Sequence, residues 1–398
     1  MPYRRVFNCV LVFLLIFQGC GKEDKRLDNL LQKQIDEVKK EVAPDKRVAL
    51  FDIKAIKGND TYILKGESNL PNAIDALKTR LSSENVVFID SIQTLPTKDL
   101  EGKTQAIIRI SVANLRSQPK HSAELATQAT LGTPVKVYKK SDGWYLIQTP
   151  DQYLSWVDSG GIQLMDSISA NQWKTSEKVI FTKTYGHTYS MTDKSSQRVS
   201  DIVAGAVIEK LGEDKGFYKV KYPDGRIAYV DKREAQDYDQ WLQDLDPTAD
   251  SLVETSKKLM GIPYLWGGTS TKGADCSGFT KTIYFLNGMV VPRDASQQAH
   301  TGKPIDSVKN FDNLEKGDLL FFGRKATDST PEKVVHVGMW IGNNEFIHSS
   351  EMVRISSMDP KAPNFDDWNL NRYLRTNRIL KEKEDRLINL ADTPIFKD

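Results

Sequence analysis

A gapless internal repeat in the middle of the chain limits the possible folds more than any other feature. A shift of 73 positions, the difference between 132 and 205, superposes two segments that share these pairs: Gly132 with Gly205, Gly143 with Gly216, Tyr145 with Tyr218, Pro150-Asp151 with Pro223-Asp224, and Val157-Asp158 with Val230-Asp231. Each copy combines short strand-like runs with a glycine turn before an aromatic pair. The repeat predicts one small β module used twice, over residues 105–166 and 167–240.

The first residues predict export and lipid attachment. Arg4 and Arg5 precede a short apolar run that ends before Gly19-Cys20, the order of a bacterial lipoprotein signal over residues 1–19. The run is shorter than the roughly 20 residues of a membrane-spanning helix. We therefore expect an acylated Cys20 as the bilayer anchor, a tether over 20–26, and a place in the cell envelope at the outer membrane, facing either side. A plain secretory signal is the alternative.

Composition bounds the remaining possibilities. The 398 residues are enough for about three domains with cores of their own. With 55 basic and 53 acidic residues the net charge is only +2, which gives no reason to expect a nucleic-acid partner. No spacing typical of metal ligands occurs, and we predict no cofactor.

Residues 27–104 predict a small α+β domain. Apolar residues from Leu27 to Val42 recur at helical spacing, and Pro44 ends that helix. Strand-like runs cover 48–56, 62–64 and 86–92, with a helix opened by Pro71 between the last two. No chemistry is evident in this segment.

One cysteine and two histidines carry the chemical signal. Of three cysteines, Cys9 lies in the predicted signal and Cys20 at its end, so Cys276 is the sole free thiol. His336 and His348 follow it, and this order of cysteine, histidine and polar group is typical of thiol peptidases. A helix is predicted from Cys276 to Asn287, and its N-terminus should favour the thiolate. A buried inert cysteine is the alternative.

The two histidines are expected on neighbouring strands. Residues 334–341 and 345–349 form a predicted hairpin around Gly342-Asn343-Asn344. A three-residue loop pairs Ile341 with Glu345 and makes His336 and His348 diagonal neighbours on one face. A two-residue turn without a bulge places them on opposite faces, so the chemistry requires an odd loop or a bulge.

Four strings in order resemble one family. Pro-Tyr-Leu-Trp-Gly-Gly from 263, Asp-Cys-Ser-Gly-Phe from 275, His-Val-Gly-Met-Trp-Ile-Gly from 336 and Phe-Ile-His-Ser-Ser from 346 look like the NlpC-type bacterial cell-wall cysteine peptidases. The resemblance implies a papain-like catalytic domain over 246–398, with helices packed on an antiparallel sheet. The repeated modules resemble bacterial SH3-like barrels. The expected fold is therefore a multidomain α+β protein with a small N-terminal domain, two such barrels and the peptidase.

The resemblance implies a reaction and its residues. Cys276 would be the nucleophile, His336 the base, His348 its orienting partner and Tyr264 a support of the oxyanion. The scissile bond would join γ-D-glutamate to a diamino acid, diaminopimelate or lysine, in peptidoglycan stem peptides. Alternatives are a non-catalytic peptidoglycan-binding lipoprotein, a general wall hydrolase, and an acyltransferase of related fold.

One subgroup of that family combines two SH3-like barrels with the peptidase and cuts peptides with a free N-terminal L-Ala. Its amine pocket matches Asp275, Glu124 and Tyr153 here. Ser277 and Trp266 are further candidates for substrate contact. Arg293 could meet a substrate carboxylate, or form an ion pair with Asp294. These matches predict a peptide-recycling enzyme.

Overall fold

A computed structural model describes residues 17–59 and 61–397, which form two compact units divided between Thr97 and Lys98. Most of the predicted signal lies outside the described residues, and the side chain of Cys20 is not described. Among the helices that are described, none is long and apolar enough to cross a membrane.

The N-terminal unit is a three-stranded sheet with two helices on one face. Its elements are α1 Phe17–Val42, β1 Phe51–Lys57, β2 Tyr62–Ser68, α2 Pro71–Ser83 and β3 Phe88–Thr94. Strand β2 pairs antiparallel with β1 and parallel with β3, so α2 is the crossover helix. Leu31, Ile35 and Val38 of α1 are buried in its core.

Two boundaries differ from the prediction. Helix α1 begins at Phe17, so the expected tether over 20–26 is helical, because its charged residues have good helix propensity and extend the amphipathic pattern. The unit ends at Thr97 instead of residue 104. Leu100 is buried in the core of the following sheet, which explains why the connection belongs to that sheet.

The repeat folds as two seven-stranded antiparallel sheets. The first contains β4 Gln105–Ile108, β5 Val112–Arg116, β6 Leu125–Thr130, β7 Pro134–Ser141, β8 Trp144–Gln148, β9 Leu154–Asp158 and β10 Ile162–Met165. After α3 Ser167–Thr175, the second contains β11 Lys178–Phe181, β12 Tyr185–Tyr189, β13 Arg198–Val203, β14 Val207–Asp214, β15 Phe217–Lys221, β16 Ile227–Asp231 and β17 Ala235–Asp237.

The strand orders of the two sheets are the same. The first runs β10-β4-β7-β8-β9-β5-β6 and the second β17-β11-β14-β15-β16-β12-β13, each strand in the position of its counterpart seven strands on. The repeat is therefore structural as well as sequential. Among the described strands each order has two free ends, so the hydrogen bonding forms an open sheet where a closed barrel was expected.

The elements of the C-terminal third, after α4 Tyr238–Asp244, are α5 Ala249–Lys258, β18 Thr269–Ser270, β19 Gly273–Ala274, α6 Cys276–Leu286, β20 Met289–Val290, α7 Ala295–Gln298, β21 Lys303–Asp306, β22 Leu319–Arg324, β23 Lys333–Gly342, β24 Glu345–Ser350, β25 Met352–Ser357, α8 Asp367–Asn371, β26 Tyr373–Arg378 and β27 Ile388–Asn389. Six of these strands form an antiparallel sheet in the order β21-β26-β22-β23-β24-β25.

Helix α6 packs on the centre of this sheet. Phe279 and Ile283 lie in one apolar core with Val337 and Met339 of β23 and Ile347 of β24. Because each of these side chains is at most 1% exposed, the helix start is fixed against the strands that carry both histidines. Helices packed on an antiparallel sheet were expected for this domain, and the structure confirms that arrangement.

Candidate active site

The thiol sits at the first residue of α6, as predicted. Asp275 is the N-cap, and its carboxylate accepts a hydrogen bond from the N–H of Gly278 at 2.7 Å. A Cβ at Gly278 would lie 1.9 Å from the carbonyl oxygen of Gly268, so only glycine permits the glycine loop to pass this close to the helix. Capping and close approach together fix the orientation of Cys276.

The two histidine rings lie side by side, as the hairpin analysis required. Nε2 of His336 and Nδ1 of His348 are 2.7 Å apart, and both residues are buried. The turn itself differs from the expected three-residue loop. Glu345 pairs with Gly342 around a two-residue turn, Asn343-Asn344, in which both residues have positive φ. A bulge between Trp340 and Gly342 then restores the predicted register, with Met339 opposite Ile347.

Ser356 extends this line of polar groups and was missed from the sequence. Its Oγ is 3.0 Å from Nε2 of His348. Nε2 of His336 is occupied by His348, which leaves Nδ1 of His336 as the nitrogen that can accept a proton from the thiol. That requires His336 to donate from Nε2 and His348 to donate from Nε2 to Ser356. The signal in the sequence is weak: a serine two residues beyond the strand partner of His348, Arg354.

Burial sets the resting protonation of the pair, against the prediction of a favoured thiolate. Burial and then the charge of Asp275 raise the pKa of Cys276 to about 12, and hydrogen bonds from the N–H groups of Val337 and Ser277 only partly oppose this. Burial and the neighbouring His348 lower the pKa of His336 well below 6.5, and burial lowers the pKa of His348 to about 4. The resting groups are therefore a thiol and neutral imidazoles.

Tyr264 lies beside the thiol. Burial, followed by the negative charge that Cys276 can carry, raises the pKa of Tyr264 to about 12. The phenol thus stays protonated and can donate a hydrogen bond to a developing oxyanion. The backbone N–H of Tyr264 donates to the carbonyl of Glu351 at 2.8 Å, which holds the loop against the end of β24.

Asp275 is held by a buried arginine. Arg293 is 1% exposed, and its Nη2 lies 2.6 Å from the carboxylate of Asp275. The same guanidinium donates to Ser277 at 2.9 Å and to Thr127 of β6 at 2.9 Å. Arg293 was expected to bind a substrate carboxylate or Asp294. Its guanidinium instead binds Asp275, Ser277 and Thr127. Ser277, likewise buried, belongs to this network.

The first seven-stranded sheet brings two further candidates to the catalytic loops. Glu124 accepts a hydrogen bond from the indole N–H of Trp266 at 2.8 Å. The hydroxyl of Tyr153 donates to Asp294 at 3.1 Å. Residues more than a hundred positions apart in the chain are thus assembled around the start of α6. Trp266 is 63% exposed and free to contact a substrate with most of its ring.

Comparison with known proteins agrees with this geometry. The NlpC/P60 family model matches residues 261–370, and a bacterial SH3 domain model matches 111–163. Gamma-D-glutamyl-L-lysine dipeptidyl-peptidase of Bacillus cereus is 34% identical over 243 residues, which are 60% of this chain and 71% of that protein. The chain belongs to the NlpC/P60 family.

Two other relatives cover a similar span of this NlpC/P60 protein. Dipeptidyl-peptidase 6 of Lysinibacillus sphaericus is 26% identical over 274 residues, which are 65% of this chain and 93% of that protein. The crystal structure of an NlpC/P60 family protein from Bacillus cereus superposes with a TM-score of 0.59 at 27% identity, covering 69% of this chain and 99% of that one. The prediction of a peptidase of this family is confirmed.

A polar cleft beside His336 completes the NlpC/P60 site and was also missed. Its charged and aromatic walls are Glu351, Arg354, Asp366, Trp368 and Arg372. Asp366 caps the start of α8, Trp368 belongs to α8 and Arg372 follows it. No pattern in the sequence connects these three residues with the histidines. Nowhere in residues 17–59 and 61–397 do three or more histidine, cysteine, aspartate or glutamate side chains cluster as metal ligands.

Proposed function

We propose that this protein is a cysteine peptidase that hydrolyses the γ-D-glutamyl to diamino acid bond of peptidoglycan-derived peptides. The observation that carries the proposal is that Cys276, buried at the start of α6, receives a hydrogen bond from the N–H of Val337, the residue after His336, while His336 contacts His348 at 2.7 Å. The relatives of the chain are named dipeptidyl-peptidases. The nucleophile and both histidines are present, which disfavours a protein that only binds peptidoglycan. We further propose that the preferred substrates are released peptides with a free N-terminal L-Ala.

The reaction begins from the neutral pair. Nδ1 of His336 takes the proton of Cys276 as the sulfur attacks the amide carbonyl and a sulfur–carbon bond forms. N–H groups at the start of α6 and the phenol of Tyr264 stabilise the oxyanion. His336 then gives its proton to the leaving amine, and the carbon–nitrogen bond breaks. A water molecule, deprotonated by His336, hydrolyses the thioester, and the proton returns to the thiol.

His348 and Ser356 hold His336 in the competent tautomer. Without a hydrogen-bond acceptor at Nδ1 of His348, His336 could carry its proton on Nδ1 and would face the thiol with a donor. The 2.7 Å contact between the rings prevents this as long as Ser356 accepts from Nε2 of His348. Both act on the reaction through His336 and are positioning residues.

The docked first sheet supports recognition of a short acyl half. Besides Glu124 and Tyr153, Gln128 accepts from the N–H of Thr269 at 3.0 Å, and Lys281 of α6 forms a buried ion pair with Asp151. On this proposal the docked sheet bounds the acyl side of the site, where a short peptide fits better than a glycan strand. Intact wall, whose L-Ala nitrogen is tied to muramic acid, is excluded on this proposal.

Charge at the same place suits a protonated amine. Asp275, Asp294 and Glu124 supply three carboxylates; Arg293 binds Asp275 directly and is close enough to Asp294 for their charges to attract. Because Asp275 is saturated by Arg293 and two backbone N–H groups, it holds the loop in place, while Glu124 remains exposed for direct contact. A carboxylate that faces an ammonium makes charge-assisted hydrogen bonds that an acylated nitrogen cannot form.

The test of the chemistry is incubation with L-Ala-γ-D-Glu-diaminopimelate and mass spectrometry of the products. We expect the dipeptide L-Ala-D-Glu and free diaminopimelate from the wild type, and no turnover from Cys276→Ala with unchanged circular dichroism. Turnover by Cys276→Ala, or cleavage at another bond, contradicts the proposal. Efficient digestion of intact sacculi would favour a general wall hydrolase.

We also propose that the second seven-stranded sheet is a second SH3-like module, since its strand order repeats that of the first. Its 73-residue offset in sequence supports the same assignment. The proposed role of Tyr153 is consistent with the repeat, because the second copy has Arg226 at that position and the module does not require tyrosine there.

Lipid attachment at Cys20 is a further part of the proposal, supported by the apolar run and Gly19-Cys20. Cells fed a fatty-acid analogue should yield labelled protein in the membrane fraction, and Cys20→Ala should release unlabelled protein. Soluble, unlabelled wild-type protein would instead identify a plain secretory signal. An anchored enzyme in the envelope would meet peptides released during wall turnover.

A further inference from the structure

The turn between β8 and β9 of the first seven-stranded sheet contacts two helices of the peptidase. Within this turn Asp151 forms an ion pair with Lys281 of α6, and the hydroxyl of Tyr153 donates to Asp294, the N-cap of α7, at 3.1 Å. The side chains of Asp151 and Lys281 are only 2% and 14% exposed, so this pair is shielded from water. The turn is therefore attached at two points, one of them on the helix that begins with Cys276.

The same turn in the second copy pairs its aspartate locally. Asp224, the counterpart of Asp151, accepts hydrogen bonds from Nε of Arg226 at 3.0 and 2.9 Å. The guanidinium of Arg226 also lies over the ring of Tyr222, 4.3 Å from its centroid. An arginine two residues after the aspartate thus supplies the countercharge from within the same turn.

Tyr153 stands in the first copy where Arg226 stands in the second. This difference gives the first turn a phenol that reaches Asp294, and it removes the local cation from the aspartate. A buried carboxylate without a countercharge is strongly unfavourable, so Asp151 is stable in its observed position because Lys281 lies against it. The first module therefore depends on α6 for a charge that the second module supplies itself.

The ion pair fixes the place at which the proposed amine site forms. Glu124 and Tyr153 belong to the first sheet, whereas the nucleophile belongs to α6, so the distance between amine and scissile bond depends on how the sheet sits on that helix. Lys281 is on the same helix as Cys276. Displacement of bound groups by about 1 Å, even by a change far from the reacting atoms, can cost a hundredfold in rate.

We propose that Lys281 is a positioning residue that determines the specificity of the enzyme for substrates with a free N-terminal amine. This inference rests on the proposed function and extends it. Lys281 acts through Asp151, by holding Glu124 and Tyr153 at the correct distance from the thiol. Loss of the pair should weaken recognition of the amine and leave the chemistry of Cys276 intact.

The test compares L-Ala-γ-D-Glu-diaminopimelate with its N-acetylated form in the wild type, Lys281→Met and Asp151→Asn. Met keeps much of the apolar stem of lysine, which limits any enlargement of the cavity of about 70 Å³ that both residues of the pair line. We expect kcat/KM for the free peptide to fall about ten- to a hundredfold in each variant, mainly through KM. For the acetylated peptide, which cannot use the amine site, kcat/KM should stay within about twofold of the wild type.

Two further variants sharpen the test. The double variant Asp151→Asn/Lys281→Met should be no slower than either single variant, because the two residues act as one pair. Lys258→Met is the matched control, since Lys258 pairs with Glu254 within α5 and the two side chains are 67% and 70% exposed. Neither peptide should be cleaved at a different rate by this control. Asn has the size of aspartate, so Asp151→Asn keeps the test open if circular dichroism shows that Lys281→Met is unfolded.

The possible outcomes separate this inference from the proposed function. If the wild type cleaves neither peptide, or cleaves both equally, the proposed function fails and the inference fails with it. If the wild type prefers the free peptide but the single variants slow both peptides by one common factor, the pair only supports the fold and this inference alone is overturned. Variants that keep the wild-type preference, or additive losses in the double variant, overturn it as well.

Discussion

At the residue scale, the buried thiol and imidazole explain how the site can be both stable and reactive. Burial makes a thiolate costly and an imidazolium costly, so the resting pair is neutral, and charge develops only as the sulfur bonds to the substrate. The helix start and the backbone N–H groups around Cys276 then act on the transition state rather than on the resting enzyme. The acidity of the free thiol is therefore a poor measure of catalytic competence here.

This protonation state predicts the pH profile. His336 must be neutral to accept the proton, and its pKa lies well below 6.5. As pH falls, kcat/KM should therefore stay constant through pH 7 and decline only well below pH 6.5. Alkylation of the free enzyme by iodoacetamide should accelerate with rising pH beyond pH 9, because the pKa of Cys276 is about 12. A decline of kcat/KM centred at pH 7 or above would show that the resting pair is ionic.

Ser356 gives the sharpest test of the tautomer assignment. Ser356→Ala removes the acceptor for Nε2 of His348 and should lower kcat by about tenfold, less than loss of the base itself, which costs 10² to 10⁴ as a rough range. Ser356→Thr should restore most of the rate. Nitrogen chemical shifts of the two histidines by NMR should show protonation at Nε2 in the wild type and a mixture in Ser356→Ala. Unchanged shifts would limit Ser356 to packing.

At the element scale, the hairpin of β23 and β24 was predictable in part. The predicted register placed the side chains of both histidines on one face of the hairpin, where they can form a hydrogen bond. The structure confirms that register. The bulge that achieves it could only be given as one of two solutions, since a two-residue turn and a three-residue loop fit Gly342-Asn343-Asn344 equally well. The turn residues allow more than one turn length, whereas the need to bury one face of the hairpin allows only one register.

The start of α6 shows the opposite case. Helix, cap and thiol were predicted from adjacent residues, but the partner of Asp275 was not. Arg293 lies 18 positions further along the chain, after the end of α6, and its third partner, Thr127, belongs to another sheet. Such long-range ion pairs leave no periodic signal, so neither partner expected for Arg293, a substrate carboxylate or Asp294, anticipated the ion pair with Asp275.

That network should contribute strongly to stability. Arg293→Met leaves Asp275 charged and buried without its partner, which is expected to cost about 3–5 kcal/mol in the free energy of unfolding. Arg233→Met is the comparison, since the side chain of Arg233 is 82% exposed and contacts one aspartate; little change is expected there. Urea titrations followed by tryptophan fluorescence measure both. Equal effects of the two substitutions would refute the structural role of Arg293.

At the scale of the whole molecule, the repeat predicted that one β module is used twice in the middle of the chain, but neither the open sheets nor the different contacts of the two copies. The two sheets share a strand order, yet the first supplies Glu124, Thr127 and Tyr153 to the catalytic loops. The second is joined to the loop before Cys276 through an ion pair of Asp201 with Lys272. The residues that the two copies share include core residues of each sheet. These contacts with the catalytic loops come from positions at which the copies differ.

Because the first seven-stranded sheet docks on the catalytic loops, we expect cleavage to require a free amine on the substrate. The most direct measurement compares kcat/KM for L-Ala-γ-D-Glu-diaminopimelate with that for the same peptide acetylated on its N-terminus, in the wild type and in Glu124→Gln. Acetylation should lower kcat/KM by several hundredfold or more in the wild type, because charged partners at the amine site lose their ligand, and by clearly less in Glu124→Gln. Equal cleavage of the free and acetylated peptides by the wild type would contradict the account.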